Sequence, residues 1–271
     1  MTKITYIWHD CFVVERPQYV LIFDYWRDPI TDAQKTDTDK SYPSFLSELP
    51  EEKPLYIIVS HHHKDHFNKD IFKWGEKVAN IRYIISKDVR RHIRYLLNPE
   101  STYSGSRPDP DRITVLDKGE SYEDSIIQVE AFGSTDIGNS YCVTDKEGVS
   151  IFHAGDLNAW IWKDESTDKE VAEALEKFRS IVGEISEKHS KIDYAMFPVD
   201  SRIGRDYFTG AGIFVREIEI KHFFPMHFGL GETPCEQQRY RRDAARIELY
   251  ANPERGEYIC LQAPYSSYAK Y

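Results

Sequence analysis

The stretch Ser60-His61-His62-His63-Lys64-Asp65-His66 leaves the apolar run Leu55-Tyr56-Ile57-Ile58-Val59 and gathers four imidazoles and a carboxylate within six residues. Imidazole nitrogen and carboxylate oxygen are the donors that borderline cations such as zinc prefer. In an extended chain side chains two apart point the same way, so His61 and His63 share a face and His62 between them acts as a spacer. Asp65 and His66 follow at once and reach a second ion if the backbone turns there. The spacing H-x-H-x-D-H at a strand exit therefore predicts a metal site, with two adjacent ions as its fuller form. A histidine-rich loop that binds nothing is the plain alternative, and the buried strand feeding the motif weighs against it.

Two later segments also carry donors at strand ends. In Ile151-Phe152-His153-Ala154-Gly155-Asp156 an apolar strand runs into Gly and then a carboxylate, which in that place can bridge two ions. A turn residue, or the cap of a helix near Asn158, is an equally good account of Asp156 alone. In Phe223-Phe224-Pro225-Met226-His227-Phe228-Gly229 the histidine sits at a strand end before a glycine. A lone histidine there is more often a core residue, and the strand-end position shifts it towards function. His153 reads as structural or as the support of a neighbouring ligand, with contact to substrate as the lesser alternative. His9 reads either as a buried hydrogen-bonded residue or as a group that orients a bound anion. Trp160 and Trp162 follow Asp156 closely enough to wall a pocket. Arg202, Arg205 and Tyr207 follow a strand ending at Asp200 and could hold a phosphate or carboxylate, with surface ion pairing and aromatic packing as the bland readings.

Strands must position these groups. Short β-rich runs are expected at Ile4 to Ile7, Phe12 to Glu15, Tyr19 to Phe23, Leu55 to Val59 and Arg82 to Ser86. Further strands are expected at Ile113 to Leu116, Ser125 to Ala131, Tyr141 to Thr144, Val149 to His153, Tyr194 to Val199 and His222 to Met226. Helices are expected at Asp70 to Trp74, Asp88 to Leu97, Ala211 to Ile220 and Pro234 to Leu249. The clearest carries Val171, Leu175, Phe178, Val182 and Ile185 on one face, with Ser166 or Thr167 as its cap. Asp28 to Lys40 reads as an exposed loop, and residues 98–111 as a long loop that is either a lid or a surface excursion. Strands followed by a helix, twice over, suggest a duplicated layout. They fit two sheets covered by helices better than a doubly wound parallel sheet.

The 271 residues suffice for a full core without staples. No run of eighteen uncharged apolar residues marks a membrane span, and Met1 to Ile7 is expected to be a short strand and not a signal peptide. Four scattered cysteines, Cys11, Cys142, Cys235 and Cys260, are expected as free thiols in a reducing cytoplasm. A net charge of −10 argues against a broad nucleic-acid surface. The basic clusters Arg90-Arg91-His92-Ile93-Arg94 and Arg239-Tyr240-Arg241-Arg242 read as solvated helix faces.

Taken in order, the His motif, the later Gly-Asp and the last histidine resemble the metallo-β-lactamase superfamily. Trp8-His9-Asp10-Cys11-Phe12-Val13 and Leu21-Ile22-Phe23-Asp24 are similar to the openings of its lactonase-like branch, which includes ascorbate-6-phosphate lactonases. The resemblance spans almost the whole chain and implies one domain over residues 1–271, of class α/β (α+β), folded as an αββα four-layer sandwich. It implies one or two divalent ions, zinc or manganese, with iron as a further option. His61 and His63 would serve one ion, Asp65, His66 and His227 the other, and Asp156 both. The segment Phe132-Gly133-Ser134-Thr135-Asp136-Ile137-Gly138 departs from the family pattern, since it lacks the expected third histidine. Either Asp136 substitutes or that ion lacks a protein ligand there. The implied activity is hydrolysis of an ester, lactone or phosphoester of a small molecule by hydroxide held at the metal, with Asp65 as the catalytic carboxylate. His9, Trp160, Arg202 and Tyr207 are the candidates for substrate contact. A non-catalytic binding protein and a nuclease are the rival readings; neither nucleic acid nor membrane is expected as a partner, and self-association is left open.

Overall fold

The apolar runs become strands that gather into two mixed sheets of seven, each in its own compact unit. The computed structural model of the protein describes residues 1–29, 42–105, 107–162, 164–250 and 253–270. Most of the loop expected at Asp28 to Lys40 lies outside the described residues. The first unit comprises Met1–Leu116 with Ala263–Tyr271, the second Asp117–Gln262.

In the first unit β1 (Thr2–Trp8), β2 (Cys11–Glu15) and β3 (Val20–Phe23) run antiparallel, then β4 (Leu55–Val59), β5 (Ile81–Ser86) and β6 (Ile113–Leu116) continue the sheet in parallel. Parallel neighbours need crossovers. A 3-10 helix at Lys69–Glu76, capped by the Asn68 side chain, joins β4 to β5. Two short helices, α1 (Lys87–His92) and α2 (Arg94–Leu97), join β5 to β6. They replace the single helix expected over Asp88 to Leu97. The chain leaves helical geometry at Ile93 (ψ 11°) and again at Asn98, the residue before Pro99. Every residue of β3 and β4 is buried, which is why both read as unbroken apolar runs. Ile22, Ile57, Trp74, Ile85 and Val89 belong to this unit's core. The 98–111 loop is partly gathered on itself, since the Arg107 guanidinium donates to the carbonyls of Asn98, Ser101 and Tyr103.

The second unit repeats the plan. β7 (Ser121–Glu123), β8 (Ile127–Phe132), β9 (Ser140–Asp145) and β10 (Ser150–His153) run antiparallel, and β11 (Lys191–Pro198), β12 (Glu219–Met226) and β13 (Glu257–Tyr258) extend them in parallel. The crossovers are α3 (Asp168–Lys188) and α4 (Thr209–Glu217), and α5 (Pro234–Ala245) lies between β12 and β13. Thr167 closes a capping box with Glu170 at the start of α3, and Phe178, Ile181, Val182 and Ile185 are its buried face. Val171 and Leu175, expected on that face, are only half-buried. Thr233 and Glu236 cap α5 in the same way; it ends at Ala245, before the expected Leu249. The stacked rings of Phe152, Phe214 and Phe197, with Phe223 tilted against Phe197, lie in this unit's core. β14 (Ser267–Lys270), an element the sequence did not suggest, returns to the first sheet and pairs with β1. Two sheets with their own helices bear out the expected α/β class.

All four cysteines are free, and burial pushes the thiols of Cys11 and Cys142 up, out of the reactive range. Among the described residues no helix is long and apolar enough to cross a membrane.

Asp193 on β11 ties the parallel half of the second sheet together. It accepts from the amide (3.0 Å) and hydroxyl (3.1 Å) of Ser150 at the start of β10, and from Lys221 of β12 at 2.6 Å. Burial alone would raise its carboxyl, but the bonds from Lys221 and Ser150 and the lysine's charge outweigh that and hold it below the ordinary aspartate range. A depressed folded-state pKa stabilises above the unfolded value and ceases to do so as pH falls through the folded one. Asp193→Asn is therefore expected to lower stability by about 1 kcal/mol at neutral pH. In urea titrations its deficit should begin to shrink as the pH falls below about 4 and vanish only beneath the lowered folded-state value; a deficit that is flat with pH would show that the charge is not the cause.

Candidate metal centre

In the first unit the parallel pairing of β3 with β4 sets Phe23 beside Ile58, and this puts Asp24 level with the start of the histidine motif. Asp24 is buried at φ 44°. Its Oδ1 accepts the Ser60 amide (2.7 Å), and its Oδ2 accepts the Ser60 hydroxyl (2.5 Å) and His66 Nδ1 (2.8 Å). Because the Ser60 proton goes to Asp24, Ser60 Oγ can only accept from His61 Nδ1 at 3.0 Å. One carboxylate thus fixes two tautomers, leaving the Nε2 lone pairs of His61 and His66 as outward-facing donors.

His61 Nε2 lies 3.0 Å from His63 Nδ1. Two nitrogens each about 2.1 Å from one ion are separated by about 3 Å, so this pair has the spacing of shared ligation. His62 turns the other way, as a spacer should. Its amide and Nδ1 both donate to Asp88 of α1 at 2.9 Å, and its ring stacks on His92.

A second group of donors forms around the β1–β2 turn. His9, at φ 58°, donates its amide to Tyr6 Oη, and its Nε2 lies 3.1 Å from Asp10 and 3.6 Å from Asp65. His66 Nε2 lies 3.3 Å from the same Asp10 oxygen. Donor atoms of His9, Asp65 and His66 all fall within 4.8 Å of one another. His9 and Asp10 are wholly buried. Histidine nitrogens and carboxylate oxygens this close, away from water, are arranged as they would be around a cation.

The second unit carries donors at three successive strand ends. After β10 the chain turns through Gly155 (φ 52°) to Asp156; after β11 comes Asp200; after β12 comes His227, at φ 68°. Asp200 Oδ2 accepts His227 Nδ1 at 2.8 Å, which leaves Nε2 facing Asp156 Oδ1 at 3.2 Å. Arg202 grips Asp200 through Nε and Nη2 (2.9 and 2.6 Å) and so keeps it charged. Burial would raise the Asp200 carboxyl, but its contacts with His227 and Arg202 prevail and hold it well below the usual carboxylate range. Trp160, at φ 29°, donates its indole N–H to the Asp156 carbonyl and lays its ring against His227.

The turn that lacks a histidine is fastened to this segment. Thr135 Oγ1 meets the carbonyls of Asp156 and Asn158 and the Asn158 amide at 2.7 to 3.2 Å. Asp136 and Asp156 each offer an oxygen within 4.8 Å of the other's. His153, at the end of β10, accepts the Gly155 amide on Nδ1 at 3.2 Å.

The donor set fits divalent cations. Imidazole lone pairs and carboxylates converge, and His66 and His227 each give their other nitrogen to a buried carboxylate, the arrangement that orients metal-bound histidine. Among the described residues five non-glycines have positive φ, and four of them, His9, Asp24, Trp160 and His227, are in these donor groups. Such backbone persists only where the surroundings enforce it.

The model of the β-lactamase superfamily domain matches residues 3–174, and the chain belongs to the metallo-β-lactamase superfamily. Solved structures share its fold. Igni18, a metallo hydrolase from the archaeon Ignicoccus hospitalis, is 14% identical with TM-score 0.60, the match covering 100% of this chain and 99% of that one. YhfI of Bacillus subtilis, a metallo-β-lactamase fold protein, is 11% identical with TM-score 0.56, covering 99% and 100%. A variant of the β-hydroxylase CmlA is 12% identical with TM-score 0.60, covering 98% of this chain and 53% of that one; CmlA of Streptomyces venezuelae is described as a diiron enzyme. No curated protein matches the sequence.

Of the residues expected to meet substrate, Arg202 is spent largely on Asp200, Tyr207 donates its hydroxyl to the Asp243 carbonyl, and Trp160 lies against Asp156 and His227. Sequence reasoning overlooked Asp10, Asp24 and Asp200 as members of the site. The signal was present for two of them, a carboxylate at or just past the end of a buried apolar strand. Asp24→Asn should weaken metal binding about 10- to 100-fold, read by chelator competition, with the circular dichroism spectrum unchanged. Unaltered affinity would mean that Asp24 orients nothing.

Proposed function

We propose that the protein is a metal-dependent hydrolase acting on an ester, lactone or phosphoester of a small molecule. The observation that carries this reading is the pair of carboxylate-anchored histidines, His66 on Asp24 and His227 on Asp200, at strand ends. On the superfamily's pattern, His61 and His63 would serve one ion and Asp65, His66 and His227 the other, with Asp156 serving both; within its own unit His9 lies among the donors of Asp65 and His66, and Asp136 beside Asp156. Asp136 then supplies the ligand missing from the 132–138 turn, and His9 is a ligand instead of a substrate contact. Zinc and manganese suit these donors, and the carboxylates tilt the first set towards manganese or iron. Bound divalent ions supply Lewis acidity, polarising a carbonyl or phosphoryl oxygen and making water a nucleophile near neutral pH.

The chain's own residues do the rest. Asp24 and Asp200 hold three imidazoles as neutral donors of fixed direction. Asp65, the least buried of the second group, orients water or passes its proton to the leaving group. Trp160 covers one side of His227 and keeps water from it. The segments Trp8 to Val13 and Leu21 to Asp24 support placement in the lactonase-like branch. The reading is of a single functional unit over residues 1–271, working in the cytoplasm without nucleic acid or membrane partners.

The carboxylate at Asp136 favours a second reading, iron-dependent oxidation of the kind CmlA's name declares; oxygen uptake by iron-loaded protein with no ester turnover would select it. For the hydrolase reading, elemental analysis of tag-free protein prepared without chelator should give about two ions per chain. Asp156→Ala should lose metal and at least a hundredfold in activity together. Full activity in that variant would overturn the assignment.

A further inference from the structure

A cationic cleft of the second unit stands outside the donor set. The turn Ser201–Ile203, Gly204 at φ 98° and one face of α5 line an open cleft of about 670 Å³ bearing Arg202, Arg205, Arg239, Tyr207 and Ser201. Arg202 is neutralised by Asp200. Asp243, the carboxylate in the cleft, has Arg242 as its own cation at 3.9 Å. Arg205 and Arg239 are exposed, and neither makes an ion pair among the described residues. Arg239 is nonetheless held in place, since its Nη2 donates to Tyr240 Oη at 3.1 Å and its guanidinium lies over that ring. The Ser201 hydroxyl is shielded from water with no hydrogen-bond partner among the described residues.

Two uncompensated guanidinium groups make a specific demand. In a chain of net charge −10 the general field repels anions, so an anionic ligand needs a local exception of this kind. Guanidinium forks match phosphate oxygens in pairs. A phosphate monoester carries about two negative charges at neutral pH and balances the cleft, whereas a carboxylate carries one. The cleft also adjoins the donor set, because Arg202 Nη2 lies 3.2 Å from His227 Nδ1.

We propose that this cleft holds the phosphate-monoester group of the substrate. The word substrate rests on the hydrolase reading; the binding does not, and can be measured without turnover. Calorimetric titration of the metal-loaded chain near pH 8 with phenyl phosphate, a dianion, and phenyl sulfate, a monoanion, separates the charge states. Phenyl phosphate is expected to bind at least tenfold tighter than the sulfate. Arg205→Ala and Arg239→Ala should each weaken it about tenfold, and the lysine replacements should restore part of the loss. Equal affinity for the two ligands, or undiminished phosphate binding in the double alanine variant, would overturn the proposal. Arginine-dependent binding with no ester turnover would leave the cleft standing and remove the hydrolase reading. Turnover of neutral esters without arginine-dependent binding would do the reverse.

Discussion

A buried carboxylate beside a strand end decides what three histidines of the site, His61, His66 and His227, can offer. Asp24 takes the proton of His66 Nδ1 directly and, through Ser60, requires His61 to donate from Nδ1 as well. Asp200 does the same for His227 and is itself kept ionised by Arg202. Without these partners each imidazole could rotate or change tautomer, and a lone pair aimed at a ligand would become an N–H. Removing one partner would therefore disturb the direction of the donors as well as the number of hydrogen bonds.

The sheets exist in a form that brings this about. Each has four antiparallel strands whose last member begins a parallel set of four, β3 in one and β10 in the other. Parallel strands end on the same side, so the residues after β3 and β4, and those after β10, β11 and β12, emerge together. Open sheets of this type place ligands beyond the carboxyl ends of their parallel strands. Asp24 and the histidine motif follow that rule in the first unit, as do Asp156, Asp200 and His227 in the second.

Much of this was legible in the sequence. Continuous apolar runs gave β3 and β4 away because both are wholly buried, and of the two caps the sequence offered for α3, Ser166 and Thr167, the second is the one used. The H-x-H-x-D-H spacing predicted a cluster of donors because His61 and His63 share one face of an extended chain, and their nitrogens do lie 3.0 Å apart. Asp10, Asp24 and Asp200 were harder to see. Their importance comes from register, such as Phe23 lying opposite Ile58, and register is a property of paired strands that no single segment displays. The helix break was missed because Ile93, though β-branched and only a middling helix former, is no breaker by type; nothing local in the sequence marks it, and it is wholly buried. The short strands β13 and β14 are half-exposed or exposed and carry no apolar run to betray them.

The left-handed backbone at His9, Asp24, Trp160 and His227 ties the protein's durability to its chemistry. Each such residue holds roughly 1–3 kcal/mol of conformational strain, comparable with a large share of a domain's net stability. Glycine would relax the backbone at all four, but it would also strand the buried groups that Asp24 and His227 now satisfy and empty the space beneath Trp160. The strain at these positions is therefore offset by contacts of the same side chains that carry the chemistry. Directed evolution of this scaffold has little to gain there, and stabilising changes are to be sought away from these four positions.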